Sequence, residues 1–393
     1  MRKYKGLSTA AVHSGEHHDK ETGSVNTPIY QSSTFYFPTQ DKRTWEGEVP
    51  DGSYIYSRYG NPTTDAVERK IADLESGKRC LLFASGMAAS STALLTYVKT
   101  GDRVVSQEDV YGGTYNLMRY HLMPLGIDIR FAPTADTEAL IAAIAPGTKL
   151  VWLETPTNPL LKLVDYPAVT KAAHEQGALV VLDNTFASPV NQRPLEVGVD
   201  LVMESGTKYL GGHSDLLAGA IVADGLDLGP VWKKRIVLGG AMDPFTAFLL
   251  ERGMKTLVLR MRAHNENGMA IAEYLEDHPL VERVHYPGLR GHPQHGLARK
   301  LLSGFGGMLS FEVKGGRQAA ERAMSAMKLV KMATSLGGVE SLVSMPLNSS
   351  HAALPAEERA RLGIRDSLVR LSVGIEDVED LKEDLDQALR SAR

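Results

Sequence analysis

VVLDNTF (180–186) decides the architecture. Three apolar residues, Val180, Val181 and Leu182, run directly into Asp183 and then into a polar turn. A short apolar run bounded in this way reads as a strand buried on both faces. An acidic residue at the carboxyl end of such a strand stands where open α/β sheets place their ligands.

Similar runs recur on either side, at 81–83, 103–105, 127–131, 150–153, 179–182, 201–203 and 218–222. Helix-like segments such as 65–74 and 165–176 separate most of them, the first opened by the turn and cap residues Asn61-Pro62-Thr63-Thr64. This alternation predicts a mostly parallel sheet covered by helices. After about residue 254 the texture changes to a long helix-like run at 255–276, strands at 308–313 and 368–373, and a helical pattern at 378–392. That predicts a smaller α+β unit. Residues 1–58 are rich in turn formers and aromatics, among them Tyr30, Phe35, Tyr36, Phe37, Trp45, Tyr54 and Tyr56. A disordered tail holds fewer aromatics, so this segment reads as an arm laid over another surface. The expected division is an arm at 1–58, an α/β domain at 59–253 and an α+β domain at 254–393.

Composition narrows the class. A chain of 393 residues with 43% apolar and 23% charged residues is ordinary for a globular protein of two or three domains. The net charge of −4, with no basic stripe, argues against a nucleic-acid partner. No stretch approaches the roughly 18 apolar residues of a membrane span, and the N-terminal residues lack a signal-like apolar core. The default expectation is cytoplasmic. The lone cysteine, Cys80, sits in an apolar run and reads as a buried small hydrophobe in a reducing compartment. His13, His17 and His18 are close in sequence, but no ligand spacing supports a metal, and none is expected.

The chemistry gathers downstream of Asp183. Ser205-Gly206-Thr207-Lys208-Tyr209 follows the strand at 201–203, with Lys208 lying 25 residues beyond Asp183. That interval leaves room for one crossover and one strand, so both side chains can converge at one sheet edge. A lysine amine can form a Schiff base with a carbonyl. A carboxylate facing a protonated pyridine nitrogen keeps that ring electron-withdrawing. Ser205 and Thr207 can offer hydroxyls to a phosphate beside the lysine. Phe83-Ala84-Ser85-Gly86-Met87-Ala88-Ala89 reads as a strand, a tight turn and a helix start, whose amides make a second phosphate site. Neither a dinucleotide fingerprint nor a P-loop is present.

Taken together, YSRYGNPTT (56–64), FASGMAA (83–89), DVYGGTY (109–115), ETPTNP (154–159), VVLDNTF (180–186), SGTKYLGGHSD (205–215), YPGLRGHPQH (286–295), SLGGVESL (335–342) and RLSVGIED (370–377) resemble one family over nearly the whole chain. It is the cystathionine γ-synthase, cystathionine γ-lyase and methionine γ-lyase family of fold-type I pyridoxal-phosphate (PLP) enzymes. The resemblance implies that Lys208 carries PLP and shuttles protons, and that Asp183 faces the pyridine nitrogen. It implies a phosphate cradle of Gly86, Met87, Ser205 and Thr207, and a Tyr111 ring stacked on the cofactor. Tyr56 and Arg58 become phosphate ligands given to a neighbouring subunit. Arg370, with Asn158 and Ser335, becomes the anchor of the substrate carboxylate, a task suited to a planar guanidinium. A homotetramer, a dimer of dimers, is expected.

The implied reaction is γ-elimination from a sulfur- or homoserine-type amino acid, giving an α-keto acid and ammonia. γ-Replacement, as in cystathionine γ-synthases and O-acylhomoserine sulfhydrylases, is the alternative, because these enzymes share their early steps. Intact Lys208, Asp183, Tyr111 and Arg370 argue against an idle scaffold. Cystathionine-cleaving members typically carry charge where this chain has Ile55, Asn116 and Thr334, and methionine γ-lyases a cysteine where it has Gly113. The stretch 111–117 resembles the sulfhydrylases. The expectation is a distal pocket that prefers methionine, homocysteine or an activated homoserine to cystathionine. The acidic segment holding Glu46, Glu48 and Asp51 reads as a solvated loop, with selection of a cationic distal group as the less favoured reading.

Overall fold

The computed structural model describes residues 4–36, 53–349 and 356–391. Seven strands form the larger sheet: β1 (Arg79–Phe83), β2 (Arg103–Gln107), β3 (Asp128–Ala132), β4 (Thr148–Glu154), β5 (Leu179–Asp183), β6 (Leu201–Glu204) and β7 (Gly219–Ala223). Their order is β1-β7-β6-β5-β4-β2-β3. Pairs from β6 through β3 are parallel, whereas β7 is antiparallel to both its neighbours. Two reversals leave β1 pointing the same way as β5. The carboxyl ends of β1, β2, β4, β5 and β6 therefore meet at one edge, where ligands of open α/β sheets bind.

Period-two alternation assigns each strand's side chains to two cores. Leu82, Val151, Val180, Leu182 and Val202 pack on one face with Val67, Ile71 and Leu74 of the helix Pro62–Leu74. Leu81, Phe83, Trp152, Val181 and Ile221 pack on the other with Ala89, Ala93 and Leu94 of the helix Gly86–Tyr97. The first helix starts where the sequence signals it: Pro62 fills its first turn and Asn61 accepts the Thr63 amide at 2.9 Å.

A second sheet runs β10-β11-β12-β9-β8, from β8 (Val281–His285), β9 (Met308–Val313), β10 (Lys331–Met332), β11 (Leu342–Ser344) and β12 (Leu368–Ser372). Sequence periodicity finds only β9 and β12 of these five: β10 and β11 are too short to show a period, and β8 (VERVH) has no apolar run, with Glu282 and Arg283 in its middle. A third core covers this sheet with residues of the helices Leu257–Glu276, Gly316–Ala326 and Val378–Ser391. The helix Leu257–Glu276 serves both units: Leu257 and Met261 join the larger core, and Ile271 and Leu275 the smaller one.

The arm holds a short helix, Leu7–His13, that the sequence reading left irregular. Its last carbonyls are met by a buried lysine: Lys70 Nζ donates to Ala11 O at 3.0 Å and Val12 O at 2.9 Å. Burial lowers that amine to about 8. Among the described residues, no helix is long and apolar enough to cross a membrane.

Candidate active site

The crossover between Asp183 and Lys208 is shorter than a full helical connection: one turn at Ser188–Asn191, a 3₁₀ turn at Pro194–Val197, then β6. Asp183 ends β5 and is buried. Burial raises its carboxyl to about 6, against hydrogen bonds from Thr185 and the nearby charge of Lys208. Thr185 links the two motifs. Its amide donates to Asp183 Oδ1 at 3.1 Å, and its hydroxyl accepts the Ser205 amide at 2.9 Å.

Lys208 Nζ donates to the Ser335 hydroxyl at 2.7 Å. Burial and the Arg370 charge lower its amine to about 8, with Asp183 acting in the opposite sense. A free amine is therefore accessible near neutral pH, as a nucleophilic lysine requires. The loop after it is pinned from behind by buried Arg260, whose guanidinium donates to Tyr209 O at 2.7 Å and Gly253 O at 2.8 Å.

Arg370, on β12, is buried. Its Nη1 donates to Asn158 Oδ1 at 3.3 Å and its Nη2 to Ser335 O at 3.0 Å. Burial lowers its guanidinium to about 10, which still leaves it charged at neutral pH. Ser335 adopts φ +79°, a left-handed conformation that costs a non-glycine residue roughly 1–3 kcal/mol. That conformation lets one residue serve two partners, its hydroxyl facing Lys208 and its carbonyl Arg370.

The proposed phosphate side lies across the sheet edge. Ser85 caps the helix Gly86–Tyr97, accepting the Ala88 amide at 3.1 Å. The first amides of a helix have no intrahelical acceptor and favour anions. A methyl group at Gly86 would come within 3.1 Å of the Ser205 hydroxyl, so glycine keeps the space between them open. Thr207 is engaged with the backbone, its hydroxyl accepting the Ala218 amide at 2.9 Å and lying 3.4 Å from Ala218 O. A buried carboxylate, a lysine of lowered basicity and an open anion cradle on one edge fit PLP.

Tyr111 follows β2 and is 45% exposed, with its amide bonded to Glu154 Oε2 at 2.6 Å. A side chain at Gly113 would strike the Tyr111 ring at 2.6 Å and Met87 Sδ at 2.8 Å, so cysteine there requires the ring to move. Tyr56 and Arg58 stand apart from this group within the chain. Arg58 donates to Ile236 O at 2.8 Å and lies over the rings of Tyr56 and Tyr59 at 5.5 and 5.2 Å.

Of the distal positions, Ile55 is buried within its own chain, Asn116 is half-buried and Thr334 is exposed. Phe37, Trp45, Glu46, Glu48, Asp51 and His351 lie outside the described residues. A cleft of about 790 Å³ opens elsewhere, beside Leu160, Lys162, His285, Glu312 and Arg365, and neither Lys208 nor Arg370 lines it. Its size does not make it the reactive site, since Lys208, Asp183 and Arg370 all lie outside its lining. Sequence reasoning gave no role to Glu154, Thr185 or Arg260. The first two lie inside quoted motifs, while Arg260 lies in none of them, and besides the local Thr256 hydroxyl its partners are backbone carbonyls, which no residue type signals.

The chain belongs to the Cys/Met metabolism PLP-dependent enzymes, whose family model matches residues 8–390. PLP is that family's cofactor, and the architecture is the fold-type I α/β fold. Among individual proteins, the chain is similar to a cystathionine γ-lyase of Bacillus subtilis (strain 168), 45% identical over 384 residues covering 98% of this chain and 99% of the other. It is 42% identical over 393 residues to an L-methionine γ-lyase of Fusobacterium nucleatum subsp. nucleatum, covering 98% of each. A solved cystathionine γ-synthase from Xanthomonas oryzae pv. oryzae, in complex with aminoacrylate and cysteine, superposes with TM-score 0.93 at 42% identity, covering 99% of both chains.

Proposed function

We propose that this protein is a PLP-dependent lyase that breaks the Cγ–heteroatom bond of a methionine-, homocysteine- or cystathionine-class amino acid, releasing an α-keto acid and ammonia. The observation that carries the reading is the Ser335 bridge. One residue touches the lysine amine at 2.7 Å and the buried arginine at 3.0 Å. An amino acid whose carboxylate sits on Arg370 thereby has its α-carbon delivered to Lys208.

Bound PLP supplies an electron-withdrawing ring that stabilises negative charge developing at the amino acid's α-carbon. The remaining work belongs to the chain. Asp183 would be the anion facing the ring nitrogen. Gly86, Met87, Ser205 and Thr207 would hold the phosphate, joined by Tyr56 and Arg58 of a neighbouring subunit. Arg370, oriented by Asn158 and Ser335, fixes the substrate carboxylate. Lys208 moves the α-proton at Nζ, and the exposed Tyr111 ring walls the site and assists proton transfer.

Tyr56 and Arg58, lent by the arm to a neighbour's site, call for a dimer at least, and we expect a homotetramer built as a dimer of dimers. A cytoplasmic location suits an enzyme of amino-acid metabolism with one buried free cysteine. The two sheets have largely separate cores, in keeping with two domains after the arm, although Ala10 and Ala11 of the arm and Leu257 and Met261 beyond residue 253 pack into the larger one.

γ-Replacement is the second reading, supported by the 42% identity to a cystathionine γ-synthase. The two part on one assay. Holoprotein incubated with methionine, homocysteine, cystathionine and an O-acylhomoserine should release α-keto acid without any added thiol, with cystathionine not the preferred substrate. Keto acid from none of them, with cystathionine formed only when cysteine accompanies the O-acylhomoserine, would replace the lyase reading with the synthase. A preference for cystathionine of about tenfold or more in kcat/KM would overturn the reading of Ile55, Asn116 and Thr334.

A further inference from the structure

Glu154 is the last residue of β4, in register with Asp183 on β5, and it is buried. Its carboxyl accepts the Tyr111 amide at 2.6 Å and also receives the Asn158 amide. Its backbone is held as firmly: its amide donates to Gln107 Oε1 at 3.0 Å, and its carbonyl accepts from Gln107 Nε2 at 2.6 Å. Tyr111 is one wall of the site. Asn158 is part of the opposite wall, because its side chain accepts from Arg370. One carboxyl group thus reaches both loops between which an amino acid sits.

We propose that Glu154 is a positioning residue, a buried brace that sets the spacing between the Tyr111 ring and the Asn158–Arg370 anchor. The inference rests on the reading of Tyr111 and Arg370 given above. Charge fixes the form in which the brace works. The groups facing it are acidic: Asp183 on the next strand, and Asp109 before Tyr111, itself paired with Lys162 at 2.7 Å. Burial first, then the neighbouring Asp183, hold the Glu154 carboxyl well above the usual carboxylate range. That direction favours the protonated form, in which Glu154 is a neutral acceptor for the two amides.

A neutral brace makes a distinctive demand on substitution. Glu154→Gln has the same size, no charge and an amide oxygen that can accept both N–H groups. Its kcat and KM should stay within about threefold of the parent, with the circular dichroism of bound PLP unchanged. Glu154→Ala removes the acceptor. It should raise KM and lower kcat by about tenfold or more each, since small misplacements of reacting groups are costly. The same variant should alter the cofactor's circular dichroism as the Tyr111 wall relaxes. If the alanine variant does not fold, Glu154→Met, which fills the volume and accepts nothing, takes its place with the same expectations.

Parent-like kinetics and an unchanged cofactor spectrum in the alanine or methionine variant would overturn the brace. A glutamine variant as impaired as alanine would overturn the neutral form of the brace, because an ionised carboxylate would then be required. The spectral arm needs no substrate. A parent protein that turns over none of the amino acids would sink the functional reading, while a shifted spectrum in Glu154→Ala would still sustain the brace.

Discussion

Arg370 carries the sharpest requirement at the scale of a single residue. It is 6% exposed, and its two terminal nitrogens are each committed to an oriented acceptor, Asn158 Oδ1 and Ser335 O. Lysine would keep the charge but lose the planar fork that makes both bonds while facing a carboxylate. Arg370→Lys should lower kcat/KM about 100-fold, about 3 kcal/mol of transition-state binding, with KM rising and the cofactor's absorbance unchanged. Loss of PLP from this variant would instead make Arg370 a structural residue. Glu204 makes a prediction in pH. It is buried beside Glu75, and burial followed by Glu75 holds its carboxyl well above its ordinary value of 4.5. The native state therefore retains a proton that the unfolded chain has released. Stability from this group declines as pH rises above 4.5 toward the folded value. Asp183 stops contributing above about 6. Lys70 and Lys208, lowered to about 8, gain in stability only above that pH. Between pH about 6.5 and 8 the melting temperature of the apoprotein should fall, and Glu204→Gln should flatten that fall. A variant with the parent's slope would show that Glu204 is ionised in the folded protein.

Among the elements, the carboxyl-terminal helix Val378–Ser391 shows how directly periodicity becomes packing. Leu381, Leu385 and Leu389 recur every four residues and are all buried in the smaller core. Leu385→Ala should cost about 2–5 kcal/mol in denaturant unfolding, and a change below 1 kcal/mol would mean that the helix does not close this core. The same logic explains what could be read in advance. Strands β1 to β7 were legible because each is an apolar run feeding one of two cores, and the long helices because their apolar faces repeat. The direction of β7 was not legible, since a buried strand looks alike whichever way it runs. The arm helix Leu7–His13 was missed because its stability comes from a distant partner, Lys70, rather than from its own sequence. The site followed the same division. Lys208, Asp183, Gly86 and Ser205 lie in motifs whose chemistry is local. Glu154 acts through a contact spanning 43 residues, visible only after folding, and Ser335, named in advance through its motif, shows its contact with Lys208 across 127 residues only in the fold.

For the whole molecule, the two sheets meet across the reactive edge. Lys208 and Asp183 come from the larger unit, Arg370 from the smaller, and Ser335 from the loop between β10 and β11. The helix Leu257–Glu276 contributes to both cores and so fixes the distance between them. Within one chain Tyr56 and Arg58 engage Tyr59 and Ile236 rather than the Lys208 group. Sedimentation should accordingly find a tetramer, or at least a dimer, and a fully active monomer would contradict the shared site. The central claim is that PLP is held covalently at Lys208. Its most direct test is borohydride reduction of the purified yellow holoprotein, followed by proteolysis and mass mapping. The account predicts a pyridoxyl group on the peptide containing Lys208 and nowhere else. A label on any other lysine, or none at all, would contradict it.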